Sequence, residues 1–314
     1  MQRDFSLTLI AVLGVWAGAT AFAEPLNILW FGNSFTDREL VNGKVIRLAE
    51  FDGKPRPMIV TDIQGGAFLQ RHWDSIEKRP ETNVDHPAIH DKTWDFVVIQ
   101  GHSREATTRS GNPEKMSRDA RKIYRLVRDH PSGWGQGVAP VLYQTWARGP
   151  GHNFYPEKYP EPRAMQDQVT AGYSAAWDDF KQQEPDADVR LAPTGETFAS
   201  LNFDSRLYGS DIYHQSYDGA LLSAMVLYRA IYDEDVSDIA YATVADWTRV
   251  DEAWWNRLVE AADAVTINRP DPGWPTLAEI ASRAEADAEV GTELKAEDDS
   301  TASPEMQPQP AAAE

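Results

Sequence analysis

Residues 26–36 read LNILWFGNSFT, and this segment is the most informative part of the sequence about the fold. Leu26–Phe31 is a short, largely apolar run that ends at Gly32, which is the pattern of a strand buried on both faces of a parallel sheet. Apolar residues with helical spacing follow directly and predict a helix over Asp37–Phe51. A strand and then a helix make the first half of a βα unit.

The same alternation continues along the chain. Apolar runs predict further strands at residues 58–63, 96–100, 139–147 and 189–195, and helical spacing predicts helices over 114–130, 164–183, 215–233 and 251–265. Five short strands that alternate with helices indicate one doubly wound, mainly parallel sheet with helices on both faces. A ligand is expected at the carboxyl ends of its strands.

Both ends of the chain differ from this domain. Residues 1–23 predict a cleaved secretory signal, because Arg3 precedes an apolar run over 7–17 and the segment ends Ala-Phe-Ala. An uncleaved membrane anchor is the alternative, but the run is short for a span of about 20 residues, so we expect no stable membrane insertion after cleavage. The mature domain is predicted over 24–283, and the acidic, Pro- and Ala-rich residues 284–314 predict a disordered tail.

The amino-acid composition limits which binding partners and which cellular compartment are plausible. Apolar residues make up 42% of the 314 positions, with 11 each of Trp, Tyr and Phe, so the chain can build a large core. A net charge of −19 repels phosphate backbones and makes nucleic acid a poor partner. The sequence contains no cysteine, which removes disulfides and thiolate chemistry. An exported protein of this kind suits a bacterial periplasm, with extracellular release as the alternative.

Ser34 is the first candidate for chemistry, because it follows a buried strand and precedes a helix. Backbone N–H groups at a helix start would stabilise an oxyanion formed when a serine attacks a carbonyl. Ser34 or Thr36 acting only as a helix cap is the simpler alternative. A second element favours the nucleophile: Asp211 and His214 stand three apart ahead of an apolar helix, so the carboxylate could orient an imidazole whose other nitrogen faces Ser34.

These two elements resemble a known family. The segment GNSFT is similar to the first block of SGNH (GDSL-like) hydrolases, and Asp211-Ile-Tyr-His214 is similar to their last block. The resemblance implies a flavodoxin-like three-layer α/β/α sandwich with a five-stranded sheet. It also implies ester hydrolysis through an acyl-enzyme on Ser34, without a metal or an organic cofactor. The GxSxG elbow of α/β-hydrolases is missing from the sequence.

The same resemblance implies an oxyanion hole. The N–H of Ser34 is one donor, and the glycine pair after the second predicted strand supplies another, with Gly66 preferred over Gly65. The asparagine of the family's third block is missing, because FVVIQ is followed by Gly101, His102 and Ser103. Gln100, His102 or Ser103 would have to substitute for it. Loss of one oxyanion donor costs about 100- to 1000-fold in turnover, so a poor substitute predicts a slow enzyme.

Other polar residues have ordinary structural interpretations. Asp85, His86 and His90 fit a surface loop better than a metal site, and His72 and His130 fit helix ends. His152 lies in a long predicted loop over 149–162 that could form a lid or a substrate wall. Trp146 and Glu196 follow predicted strands, where they could line a pocket or belong to the core.

The prediction from sequence is therefore an exported serine esterase that hydrolyses small acyl esters, such as acetyl esters, of a small molecule or a glycan. Two alternatives remain open: a binding or accessory protein that keeps the fold with weak catalysis, and an acyltransferase that passes the acyl group to a sugar. The sequence does not predict the oligomeric state.

Overall fold

A computed structural model of the protein describes residues 24–78, 93–130 and 135–286. For residues 76–78 it describes the backbone alone. The predicted signal at 1–23, the segment that contains Asp85, His86 and His90, and residues 287–314 lie outside the described residues. Residues 284–286, predicted to begin the tail, instead continue a helix that spans 277–286. Among the described helices, none combines the length and the apolar character that crossing a membrane requires.

Five parallel strands form the sheet, in the order β2-β1-β3-β4-β5. The first strand lies between the second and the third, and its Leu29 is paired with Val60 on one side and with Val97 on the other. The predicted five-stranded parallel sheet is confirmed, although the last two strands are shorter than predicted. Their bounds are β1 (Asn27–Gly32), β2 (Met58–Ile63), β3 (Phe96–Ile99), β4 (Ala139–Tyr143) and β5 (Arg190–Ala192).

Helices cover both faces of the sheet. Ile28 and Trp30 of β1 belong to one core with α2, α7 and α9, and Leu29 and Phe31 belong to a second core with α3, α4 and α5. Successive side chains of a strand point to opposite faces, so β1 is buried on both and the molecule has three α/β/α layers. The helices are α1 (Ser34–Asp37), α2 (Val41–Phe51), α3 (Leu69–Lys78), α4 (Pro113–Arg128), α5 (Pro162–Gln183), α6 (Thr194–Ser200), α7 (Tyr217–Tyr232), α8 (Tyr241–Val244) and α9 (Glu252–Ala264).

The helix predicted over Asp37–Phe51 is interrupted. Glu39 and Leu40 have positive φ angles of 57° and 51°, which no α-helix accommodates. Ser34 therefore opens a separate helix of four residues, α1. A helix this short carries little dipole, so the local N–H groups matter more at Ser34 than the helix field that the sequence suggested.

Gly32, the last residue of β1, is closely packed. A Cβ added there would lie 2.6 Å from Thr36 Oγ1 and 3.0 Å from Gln100 Oε1, both of them buried. Gly32→Ala is expected to lower the free energy of unfolding by about 1–3 kcal/mol, measured by urea denaturation. Gly43→Ala is the control, because its Cβ would meet only Leu40 at 3.5 Å and alanine favours a helix. Equal stability of Gly32→Ala and wild type would contradict this packing.

Candidate active site

Hydrogen bonds with the buried side-chain amide of Gln100 fix the turn between β1 and α1. Gln100, directly after β3, accepts hydrogen bonds at Oε1 from the Asn33 N–H (3.0 Å) and from Thr36 Oγ1 (3.0 Å). Its Nε2 donates to Asn33 Oδ1 at 2.9 Å. Asn33 in turn caps α1, since its Oδ1 also accepts from the Phe35 N–H at 3.1 Å. Ser34 thus sits on a backbone that the neighbouring strand fixes.

The loop after β2 is connected to the same turn. Asn33 Nδ2 donates to the carbonyl of Ala67 at 3.0 Å, and the Gln64 N–H donates to the carbonyl of Gly32 at 3.0 Å. Gly66 lies between Gln64 and Ala67, the two loop residues that form these hydrogen bonds. It is exposed and has a φ of +64°, which glycine adopts without strain. The glycine that the sequence pointed to is therefore in a turn tied to the residue before Ser34.

Ser34, Asp211 and His214 come together in one chain of hydrogen bonds. Ser34 Oγ lies 2.8 Å from His214 Nε2, and His214 Nδ1 lies 2.7 Å from Asp211 Oδ2. The other carboxylate oxygen of Asp211 accepts from the backbone N–H groups of Tyr213 (3.0 Å) and His214 (2.9 Å). Hydrogen bonds from backbone N–H groups as well as from the imidazole therefore fix the orientation of the Asp211 carboxylate relative to His214.

The loop that carries these residues is fastened to α1. Gln215 Nε2 donates to the carbonyls of Phe35 (3.0 Å) and Arg38 (2.7 Å). Ile212 has a φ of +54°, a strained conformation for a β-branched residue, and its carbonyl accepts from the Gly149 N–H at 3.0 Å. Such strain persists only where surrounding contacts impose it, and it is concentrated at functional sites.

Electrostatics favour a neutral imidazole and an ionised carboxylate. Burial would raise the pKa of Asp211, but hydrogen bonds from the His214 ring and from backbone N–H groups outweigh it and lower the pKa to about 2. Burial lowers the pKa of His214, partly opposed by Asp211. At neutral pH, His214 is therefore uncharged, with Nδ1–H donating to Asp211 and Nε2 open to accept from Ser34.

Arg38→Met is expected to raise the pKa of His214. Arg38 Nη1 lies 3.1 Å from Asp211 Oδ2, and its charge lowers the pKa of His214. Because Arg38 is half exposed and screened by water, the expected rise is small. NMR titration of the imidazole measures it, and Arg47→Met on α2 is the control. A His214 pKa identical in Arg38→Met and wild type would contradict this coupling.

Two predicted oxyanion donors need correction. Gln100 is fully buried and its Nε2 is engaged with Asn33 Oδ1 and the carbonyl of Gly101, so it positions the turn and cannot meet an oxyanion. Ser103 is also fully buried, and its Oγ accepts from Arg148 Nη1 at 3.2 Å. The N–H of Ser34 has no acceptor among the described residues, which leaves it available.

Aromatic side chains line the region around His214. The ring of Tyr213 packs against the His214 ring with centroids 4.1 Å apart, and its hydroxyl lies 3.4 Å from His102 Nε2. His102 stacks on Phe68 with centroids 4.7 Å apart. Burial lowers the pKa of His102 to about 4, so it is neutral at ordinary pH. His152 packs near the same tyrosine, at 6.4 Å, which brings the loop over 149–161 next to the site.

The other residues singled out in the sequence have structural roles away from the Ser34 hydroxyl. Trp146 is buried between Phe35 and Phe198, with ring centroids at 4.5 Å and 4.6 Å, so it is core and not a pocket wall. Glu196 is paired with Arg163 at 3.0 Å. His72 is not at a helix end as predicted: it lies within α3, fully buried, with Nδ1 3.2 Å from Asp62 Oδ2. His130 follows α4 by two residues, as expected.

Sequence reasoning missed three residues around the cluster of Ser34, His214 and Asp211. Asn33 precedes the serine and could have been noticed as a helix cap. Tyr213 stands inside the Asp-x-x-His motif, where an aromatic beside the histidine was a visible signal. Arg148 had no local signal, because only the fold brings it to Tyr213, 3.7 Å from guanidinium carbon to ring centroid.

Comparisons with known proteins agree with this architecture. No protein-family model matches the sequence, and no curated protein matches it. Among solved structures, a candidate SGNH hydrolase from Slackia heliotrinireducens is 23% identical, with a TM-score of 0.51 over 66% of this chain and 100% of the other. A DUF4886 family protein from Bacteroides uniformis is 18% identical, with a TM-score of 0.56 over 76% of this chain and 94% of the other. The chain therefore has an SGNH-hydrolase-like fold.

Proposed function

We propose that this protein is a serine esterase in which Ser34 is the nucleophile, His214 the general base and Asp211 the group that orients the base. One observation carries the proposal: Ser34 Oγ, the His214 ring and the Asp211 carboxylate form a continuous relay with separations of 2.8 Å and 2.7 Å. Both distances fall in the range in which a base can take the proton of a nucleophile and a carboxylate can hold the imidazolium.

The reaction follows from this geometry. His214 Nε2 takes the proton of Ser34 as Oγ attacks the ester carbonyl, and Asp211 stabilises the imidazolium. The tetrahedral intermediate collapses when His214 gives that proton to the departing alcohol, which leaves an acyl group on Ser34. Water, deprotonated by the same nitrogen, attacks the acyl-enzyme, and His214 then returns the proton to Ser34 Oγ as the acid leaves.

Two backbone donors serve the oxyanion in this proposal. The N–H of Ser34 is not taken up by any described group, and the turn that holds Gly66 is tied to Asn33 and Gly32. Because Gln100 and Ser103 are engaged elsewhere, the described residues offer no side-chain amide in place of the missing asparagine. We therefore expect turnover to be slower by about 100- to 1000-fold than with a complete set of three donors.

The expected substrates are small acyl esters, acetyl esters among them, of a small molecule or a glycan. An acyltransferase would use the same relay and differ only in the acceptor, so free acid as the product favours the esterase. Export to a bacterial periplasm or to the medium is proposed from the N-terminal sequence and the lack of cysteine.

A fluorophosphonate probe tests the nucleophile. We expect the probe to modify Ser34 in the mature protein, as mapped by mass spectrometry, and modification to be strongly reduced in His214→Ala because the serine then lacks its base. Ser200→Ala, on α6 and away from the relay, is the control and should be modified like wild type. A folded wild-type protein that the probe leaves unmodified would contradict the proposal and favour the binding protein.

A further inference from the structure

The described part of the chain buries two arginines, and their partners differ. Arg229 is 7% exposed and pairs with Asp235 at 2.8 Å and Asp263 at 3.2 Å. Arg148 is 5% exposed, and none of the described carboxylates forms an ion pair with it. Buried charges in proteins are normally paired, so a buried guanidinium without a carboxylate partner calls for a counter-charge from outside the described chain.

The surroundings of Arg148 leave its edge available. Its Nη1 donates to Ser103 Oγ at 3.2 Å, and its guanidinium carbon lies 3.7 Å from the Tyr213 ring centroid and 4.4 Å from that of Phe154. Aromatic contacts engage the face of a guanidinium, whereas its N–H donors lie in the plane. Its hydrogen-bond partners among the described side chains are the hydroxyls of Ser103 and Tyr213, and neither brings a negative charge.

Arg148 is also close to the relay. The Tyr213 ring that it covers packs against the His214 ring at 4.1 Å, and the Tyr213 N–H donates to Asp211. The positive charge of Arg148 contributes to the low pKa values of His102 and His214. These contacts place the guanidinium beside the side chains that would handle an ester at Ser34.

Positive charge accumulates here in an otherwise acidic protein. Lys158 Nζ lies over the Phe154 ring at 4.5 Å, on the same ring that Arg148 covers. Arg104 is near enough for its charge to lower the pKa of Arg148, and its Nε is buried without a hydrogen-bond partner. Neither Lys158 nor Arg104 forms an ion pair with a described carboxylate. Three such cations together are unusual in a chain with a net charge of −19.

We propose that Arg148 binds a carboxylate on the substrate, so that the preferred ester carries an acidic group near its scissile bond. This inference rests on the proposed esterase function and names its substrate class. A carboxylate is planar and matches the fork of a guanidinium through paired hydrogen bonds, which favours it over a bulkier phosphate at this single, aromatic-packed arginine. Lys158 and Arg104 add attraction for the anion at the edge of the site.

Matched esters test the proposal. The probes are 3- and 4-acetoxybenzoate and the methyl esters of these two acids, which share the acetyl group and differ in the charge of the leaving phenol. For at least one isomer, wild type should show kcat/KM about 10- to 100-fold higher for the carboxylate than for its methyl ester, as expected for a charge-assisted hydrogen-bond pair.

Variants assign this preference to Arg148. In Arg148→Met the ratio of the two kcat/KM values should fall to about 1, mainly through a higher KM for the carboxylate, and Arg148→Lys should recover part of it. Arg118→Met on the exposed face of α4 removes the same charge elsewhere and should keep the wild-type ratio. Equal losses on both esters in Arg148→Met would overturn the proposal and indicate an oxyanion donor. A wild type without preference for either carboxylate would also overturn it.

Calorimetric binding separates this inference from the esterase proposal. Ser34→Ala should bind the better acetoxybenzoate more tightly than its methyl ester, and Ser34→Ala/Arg148→Met should lose the difference. If the fluorophosphonate probe fails at Ser34 while binding still depends on Arg148, the esterase proposal fails and the carboxylate site stands. If Ser34 is modified but neither binding nor turnover prefers a carboxylate, the carboxylate site alone is wrong.

Discussion

Replacing Ser34 by alanine is expected to lower the rate of ester hydrolysis by about 10⁴- to 10⁶-fold, because in the proposed mechanism the acyl-enzyme forms on its hydroxyl. The described structure has Ser34 Oγ 2.8 Å from the base, and the methyl group of alanine leaves His214 Nε2 without a proton to accept. Initial rates with an activated aryl acetate measure the loss. The remaining rate would come from water positioned by His214 and by the oxyanion donors.

The control for this variant is Ser200→Ala, in which the lost hydroxyl donates only to the carbonyl of Thr197. It should hydrolyse the aryl acetate at the wild-type rate. The fold of Ser34→Ala is checked by its thermal unfolding, which should be close to that of wild type because the lost hydroxyl has its hydrogen bond with His214 in the described structure. A Ser34→Ala protein within about tenfold of wild type would remove Ser34 from the mechanism.

Asp211→Asn is expected to lower kcat/KM by about 10³-fold. Asp211 Oδ2 holds His214 Nδ1 at 2.7 Å, and its low pKa of about 2 keeps it ionised throughout the working range. An asparagine is neutral and can present an N–H to Nδ1, which favours the tautomer with its proton on Nε2, where it cannot accept from Ser34. The side chain of Asp211 is 39% exposed, so water can replace part of its effect.

The pH profile gives this variant its own signature. Asp211 raises the pKa of His214, so removing its charge should move the acid limb of kcat/KM to lower pH, opposite to the shift from Arg38→Met. Asp178→Asn, on the exposed face of α5, is the control and should leave both the rate and the profile unchanged. Wild-type rates together with a wild-type profile in Asp211→Asn would exclude Asp211 as the orienting group.

Much of the fold could be predicted because its signals are local. The apolar run at 26–31 indicated a strand buried on both faces, and the structure has Ile28 and Leu29 in different cores. Helix bounds were close where a cap is present, as for α7, which begins after Ser216. The interruption at Glu39 and Leu40 was missed, because positive φ angles at ordinary residues have no marker in the sequence.

The candidate site was also predictable only where its geometry is set by residues close in sequence. Asp211 and His214 are three residues apart, so one loop sets their geometry, and the strand end marks the position of Ser34. Gln100 has an amide like the expected asparagine, but its role depends on β3 lying beside β1. That neighbour brings its amide under Asn33, where hydrogen bonds to the turn use both of its ends. The chemical nature of the Gln100 side chain could not show whether it donates to an oxyanion or fixes the turn before Ser34.

Local sequence patterns were enough to predict the layers of the fold, the strand end that carries Ser34, and the motif that contains Asp211 and His214, because each depends on neighbours a few residues away. Only the tertiary structure decided that Ser34 meets His214, 180 positions later, and that Arg148 is buried against Tyr213 without a counter-charge. Contacts between distant segments depend on how strands pair and loops pack, and those are properties of the whole fold.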